Sequence, residues 1–359
     1  MKIKYFVPVL CASAALFLTS CNENNDSPTP PEGEAGSLKI ILTGESSADY
    51  VSRAAATTDL SYEQAVKKFT VYVFNADTET LETAVDVSGS ATSTVITGLS
   101  TGFKKKIVVA ANLPVGFPTF SDGEEYSKFT EMASAIDLDT QTPALAQTNG
   151  LVMFGETLSS VALSSSSMTS VSISLRRLVA KVTLGNVIVN PADSYDINQF
   201  QLKGVSIQRA VAKTDILGNP LTDETQTYGG VSGSYNSSIK DYLRDTFNPT
   251  LTAGATMTMG NFFYVLPNQS SEHCTLLTLE GDYDGDPQYY PIRINFEQTT
   301  NLNTDGMLVQ SNKAYRINME LNNLAEGTDD PDLPPTEADL EVKITVEDWD
   351  LEIVQNENW

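Results

Sequence analysis

One histidine, His273, and three cysteines, Cys11, Cys21 and Cys274, are the soft nucleophiles and ligands available to these 359 residues. His273 and Cys274 are adjacent, and neighbours on an extended chain point to opposite faces, so they make a poor thiol–imidazole pair. No nucleophile-elbow pattern accompanies the histidine, which reads as a surface or strand-edge residue. Asp282, Asp284 and Asp286, in the run D-Y-D-G-D, place carboxylate oxygens close together, as a hard cation requires. The EF-hand count fails, because Gly285 is the fourth position and Arg293 the twelfth. A hairpin turn is the ordinary reading, and a cation site is the alternative. There is no C-x-x-C pair, H-E-x-x-H, phosphate-binding loop or dinucleotide fingerprint. Lys104, Lys105 and Lys106 precede a strand-like run and read as a solvated strand end. The expectation is a chain with no catalytic residue, no metal and no cofactor. A surface glycosidase is the enzymatic alternative, and no motif marks the carboxylates it needs.

The third chemistry is that of Cys21. Lys2 and Lys4 precede a short apolar run that ends in Leu18-Thr19-Ser20-Cys21. Positive start, apolar middle and small residues before a cut describe a secretory leader over 1–20. The apolar run falls short of the ~20 residues a membrane span needs. A cysteine directly after Leu-Thr-Ser resembles the lipobox of bacterial lipoproteins, which implies acylation (palmitate) of Cys21 and an outer-membrane lipid anchor. A soluble secreted protein with a chance cysteine is the alternative. Cys11 leaves with the leader, so Cys274 has no disulfide partner and the fold must rest on apolar burial. The formal charge of −24 gives nucleic acid no electrostatic footprint.

These residues must be carried by strands. Residues 21–37 are polar, acidic and proline-rich, and read as a tether. From Leu38 the chain alternates: Leu38, Ile40 and Leu42 share one face. Short β-type runs follow, at 69–74, 95–96, 106–111, 151–154, 171–184, 200–207, 262–266, 275–279, 289–296 and 314–321, separated by Gly, Asn and Ser turns. Helical patches are few. Ser61 with Gln64 resembles a capping box. Tyr126, Phe129, Met132 and Ile136 have helical spacing, and Ile239, Tyr242, Leu243 and Phe247 suggest another short helix. The fold class expected is all-β, as β-sandwiches with short helical insertions. The boundary falls near Gly185, dividing a domain over 38–185 from one over 186–359.

Two features stand out from this background. Arg53-Ala54 lies in a stretch of small residues about ten positions after the first strand, where proteolysis concentrates. An ordinary loop arginine is the alternative. At the other end Leu340, Val342, Ile344 and Val346 alternate with polar residues, and Trp349, Leu351 and Ile353 continue the pattern. The preceding acidic, proline-bearing stretch, 326–337, reads as a leash. A strand on a leash reaches either its own sheet or that of another subunit.

Taken in order, these segments resemble the FimA-like fimbrillins, the major fimbrial subunits of type V pili. The likeness rests on the lipobox at Cys21, the Arg53-Ala54 junction and Phe69-Thr70-Val71-Tyr72-Val73-Phe74-Asn75. It continues through Leu175-Arg176-Arg177-Leu178-Val179-Ala180-Lys181-Val182 and Phe263-Tyr264-Val265-Leu266-Pro267-Asn268. Asn312-Lys313-Ala314-Tyr315-Arg316-Ile317 and Val346-Glu347-Asp348-Trp349 complete it. The resemblance implies two transthyretin-like (Greek-key) sandwiches. It also implies a lipoprotein precursor cut after Arg53 by an arginine-specific surface protease. The propeptide strand (Leu38, Ile40, Leu42; propeptide 38–53) then leaves. A donor segment over about 338–359 of another copy, or of a related fimbrial subunit (here Leu340, Val342, Ile344, Val346, Trp349, Leu351, Ile353), fills the groove. The product is a head-to-tail cell-surface fimbrium that supports adhesion. A monomeric lipoprotein adhesin, or a pilus anchor or tip subunit gripping glycan or host protein, is the alternative. Tyr283, Tyr289 and Tyr290 are the aromatics it would use.

Overall fold

The computed structural model describes residues 33–44, 60–132, 136–219, 227–229, 239–270, 273–294, 309–333 and 340–348. Cys21, Arg53, Ala54, Trp349, Leu351 and Ile353 lie outside these residues. In chain order the strands of the first half are β1 (Ala35–Gly44), β2 (Lys68–Asn75), β3 (Leu81–Ser88), β4 (Ser93–Ser100), β5 (Lys105–Ala111), β6 (Ile136–Asp137), β7 (Met153–Glu156) and β8 (Thr169–Arg177). Then come β9 (Ala180–Val189), β10 (Phe200–Gln208), β11 (Ala210–Val211), β12 (Lys213–Thr214), β13 (Thr227–Tyr228) and β14 (Arg244–Thr246). The last are β15 (Thr256–Thr258), β16 (Phe262–Val265), β17 (Leu276–Tyr283), β18 (Asp286–Arg293), β19 (Lys313–Leu321) and β20 (Leu340–Asp348). Two short helices, α1 (Lys128–Glu131) and α2 (Pro143–Asn149), complete the list. The all-β expectation holds.

β2 is apolar at successive positions because it is covered on both faces. Phe69, Val71 and Val73 pack with Ile107, Val109, Ile173 and Leu175. Tyr72 and Phe74 point the other way, into a second cluster with Val108, Phe129 and Phe154. Phe129 on α1 meets Tyr72 and Tyr126 edge-on, at ring separations of 5.2 and 5.6 Å. The strands run β3-β2-β5-β7-β8-β1-β4 in a seven-stranded sheet. The sheet curls so that β1 and β8 share a core with β2 and β5. Its two edges, β3 and β4, are bridged by Glu82, which accepts from the Ser100 amide (2.7 Å) and pairs with Lys105. Lys105 is therefore a buried ion-pair partner, stacked on Phe103, and not the solvated strand end its lysine run suggested.

The second half is a sandwich. The five-stranded sheet runs β15-β9-β19-β20, with β16 also on β9, and the four-stranded sheet runs β14-β10-β17-β18. Val182 and Leu184 of one sheet share a core with Leu202, Ile207, Leu277 and Leu279 of the other. The chain changes sheet between β8 and β9, ahead of Gly185. That glycine lies inside β9, where a Cβ would come within 2.4 Å of the Asn318 side-chain oxygen. Close backbone approach, not a strand end, explains it. β6 pairs with β12 and ties the two halves. Beside it Asp139 receives Tyr242 (2.7 Å), Lys240 (3.0 Å) and Tyr228 (3.3 Å). Burial opposes the charge on Asp139, but these donors outweigh it and hold the carboxyl below its ordinary value.

Several local expectations change. α1 is one turn, and Ile136 belongs to β6. The turn at Tyr242 is a 3-10 turn, Asp241–Leu243, followed at once by β14. The carboxylate that reaches back near Ser61 is Glu63, onto the Leu60 amide (3.0 Å), and not Gln64. Asp284 and Gly285 take φ of 53° and 93°, the two left-handed residues of a hairpin turn joining β17 to β18. The Asp282 carboxylate accepts from the Gly285 amide at 2.9 Å and so serves that turn.

Candidate functional site

β1 has a strand on each flank. Leu38 through Gly44 run parallel to β8, from Leu38 opposite Thr169 to Gly44 opposite Leu175. On the other side β1 runs antiparallel to β4, with a bulge between Gly36 and Ser37. The alternation read from the sequence has a physical counterpart: Leu38, Ile40 and Leu42 are each 0% exposed. They pack with Val71, Val73, Ile96, Ile107 and Leu175. Burial of each contributes about 1.5–3 kcal/mol, so together they approach the net stability of a small domain. The strand starts three residues before Leu38, at Ala35, because Gly36 lets the chain pass close over Thr101 and Leu163. Clefts border both ends of β1. One, of about 670 Å³, opens between β3 and β4 beside Gly33 and Ala35. The other, of about 600 Å³, adjoins Gly44, Val171 and Ser174.

The chain that follows β1 returns at Leu60, and Arg53-Ala54 lies in the connection between them by position. A cut there leaves β1 held by its ladders and core contacts alone. What lies beyond is fixed independently of β1. Glu63 is fully buried in the 3-10 turn Ser61–Glu63, with Lys181 at 2.8 Å and the Tyr264 hydroxyl donating to it. Arg177 donates from Nε to the Glu63 carbonyl (2.8 Å), and its own amide donates to Asn312 (3.1 Å). Burial, reinforced by the Glu63 carboxylate, pushes the Tyr264 phenol far above its ordinary pKa, so it stays a donor. No local pattern reveals this network, because Glu63, Lys181 and Tyr264 are far apart in the chain. The signal available was a basic pair, Arg176-Arg177, inside an otherwise apolar strand region.

The C-terminal strand is placed in its own subunit. β20 lies antiparallel to β19 at the edge of the five-stranded sheet, from Leu340 opposite Leu321 to Asp348 opposite Lys313. The leash expected over 326–337 is not free up to Leu333. Tyr290 donates to the Leu324 carbonyl (2.6 Å), Thr328 bridges to Tyr289, and Thr278 donates to the Pro331 carbonyl (2.7 Å). Asp332 is then gripped by Arg209. Acidic, proline-rich composition signals solvation, and here the backbone carbonyls and one aspartate find partners on the adjacent sheet.

Other residues singled out in the sequence have described surroundings. Cys274 is buried beside Leu276, and burial pushes its thiol upward, away from nucleophilic character. The His273 amide donates to Ser270 (3.0 Å) and its carbonyl accepts from Asn268 (2.9 Å). Tyr290 is buried in the second core, and Tyr283 stacks edge-on to Tyr195 at 5.8 Å.

Residues 36–197 match the family model of the major fimbrial subunit protein FimA. Among curated proteins, the major fimbrium subunit FimA type-4 of Porphyromonas gingivalis W83 is 24% identical over 397 residues, covering 97% of each chain. Among solved structures, a candidate cell adhesion protein of Bacteroides eggerthii superposes with a TM-score of 0.67 at 22% identity, covering 92% of this chain and 99% of that one. A fimbrilin of P. gingivalis W83 superposes at 0.62 with 17% identity, covering 89% and 98%. At these identities the structural likenesses establish the fold.

Proposed function

We propose that this FimA-like fimbrial subunit is exported as a lipoprotein through Cys21 and polymerises by strand exchange once an arginine-specific surface protease cuts after Arg53. The observation that carries the reading is the position of β1. It is flanked by strands on both sides, its apolar face is wholly buried, and the chain joining it to the rest contains Arg53. Before the cut, Leu38, Ile40 and Leu42 fill the groove and block assembly. After it, departure of β1 with the lipid exposes two unpaired strand edges and an apolar slot, which are costly to leave open.

A second copy supplies the replacement. Val342-Lys343-Ile344-Thr345-Val346 repeats the order of Leu38-Lys39-Ile40-Ile41-Leu42: apolar, lysine, isoleucine, variable, apolar. Among the described residues β20 has a ladder on one side only, to β19. In the vacated slot it gains ladders to both β8 and β4, at a net ~0.5–1.5 kcal/mol per hydrogen bond. A contact of this kind is head-to-tail and does not close, so it grows a fibre. Trp349, Leu351 and Ile353 extend the donor segment. The product is a cell-surface fimbrium supporting adhesion.

The pairing of β20 with β19 favours a second reading, a subunit that keeps its last strand and acts as a monomeric adhesin, anchor or tip. Digestion of the purified precursor with an arginine-specific protease separates the two. N-terminal sequencing that gives Ala54, with filaments in the electron microscope that vanish when 340–359 is deleted, supports exchange. Clean cutting at Arg53 that leaves monomers supports the second reading.

A further inference from the structure

We propose that Arg209 and Asp332 form the fixed point from which the exchanging segment leaves the body of the subunit, and that this point sets the spacing of consecutive subunits. The inference rests on the strand-exchange reading and deepens it. Asp332 is 1% exposed and Arg209 11%. The guanidinium takes both parts of the residue: Nε donates to the Asp332 carboxylate (3.1 Å) and Nη2 to the Asp332 carbonyl (2.7 Å). A two-point grip of this kind fixes main chain as well as side chain.

Arg209 is itself held. It sits between β10 and β11 with a φ of 54°, its amide donates to the Gly229 carbonyl (3.2 Å), and its carbonyl accepts from Thr275 (3.1 Å). Asp332 is further braced through its amide, which donates to Asp330 (3.0 Å). The preceding residues are tied at Leu324, Thr328 and Pro331 to β17 and β18. All of these partners belong to the four-stranded sheet or its margin, whereas β20 lies on the five-stranded sheet. Peeling β20 from β19 therefore leaves the grip in place. The next residue, Leu333, is 54% exposed, so the clamp ends where the chain meets solvent. From Leu333 to Leu340 an extended chain covers at most about 25 Å. A donor strand that starts from a fixed point on so short a tether meets the next subunit within that reach, and a longer tether widens it.

The test compares two insertions of the same Gly-Ser tetrapeptide in full-length precursor that is then cut. One is placed between Glu326 and Gly327, upstream of the clamp, and the other between Leu333 and Pro334, downstream. Filaments are measured for axial repeat and straightness. The proposal expects the upstream insertion to leave the repeat unchanged and the downstream insertion to lengthen it or make it uneven. Equal effects from both insertions overturn it. Asp332→Ala, with melting of the uncut precursor as the control for folding, is expected to make the repeat uneven in the same way, and uniform wild-type filaments from a folded Asp332→Ala subunit also overturn it. Failure of the underlying reading is read separately. A synthetic peptide of residues 338–359 is offered to cut subunits lacking their own 340–359. If it is not captured, strand exchange itself fails, whatever the insertions do.

Discussion

If β1 leaves after the cut, Leu38, Ile40 and Leu42 act only in the precursor, and single substitutions there have an asymmetric effect. Ile40→Ala leaves a cavity among Val71, Val109 and Ile173 and is expected to cost the precursor about 2–5 kcal/mol. It is expected to cost the cut, assembled protein nothing, because the residue has left. Denaturant unfolding of both forms checks this, and an equal loss in both contradicts it. Buried phenols give a second prediction. Burial pushes Tyr72 and Tyr315 up to about 12, from an ordinary 10. A raised pKa favours the protonated, folded form, so this stability is intact below pH 10 and is lost as pH rises from 10 towards 12. Phenolate absorbance should rise together with loss of folded signal, and Tyr72→Phe should flatten the alkaline slope. Sequence reading found the apolar face of β1 because a period of two is visible in a single strand. It missed the burial of Lys105 and Glu63, because the partners that neutralise them come from other strands.

At the scale of elements, periodicity located most strands and misjudged their neighbours. β3 alternates, with Val85 and Val87 against Asp86 and Ser88, but as an edge strand it buries that face only in part and carries few strongly apolar residues to announce it. α2 went unread although Thr142, Pro143 and Gly150 mark its start and end. The Thr142 hydroxyl caps it by accepting from the Leu145 amide at 3.3 Å. Thr142→Ala is expected to cost about 0.5–2 kcal/mol in thermal or denaturant unfolding, since Ala offers no acceptor. The stretch before β20 has the composition of a leash, while Arg209, Thr278 and Tyr290 tie it at several points, up to Asp332, to the adjacent sheet. No local pattern announces such partners. The hairpin at Asp284-Gly285 was legible, because two consecutive left-handed residues favour Asp or Asn followed by Gly. Gly285→Val should destabilise the precursor by about 1–2 kcal/mol in the same unfolding assay.

As a whole molecule the chain keeps two strands of similar pattern at opposite ends, one inside the first sheet and one on the rim of the second. The central claim is that the second takes the place of the first in another copy. Cross-linking reads this most directly. In the precursor Lys343 lies opposite Asn318 on β19, and Lys39 lies opposite Ser170 on β8. If β20 enters the slot with Lys343 in the place of Lys39, Lys343→Cys in one copy comes beside Ser170→Cys in the next. The double variant, cut after Arg53 and oxidised, is predicted to run as a ladder of disulfide-linked multimers, with none before the cut. Filaments that form without that ladder, while Lys343→Cys still links to Asn318→Cys within each subunit, would contradict the exchange.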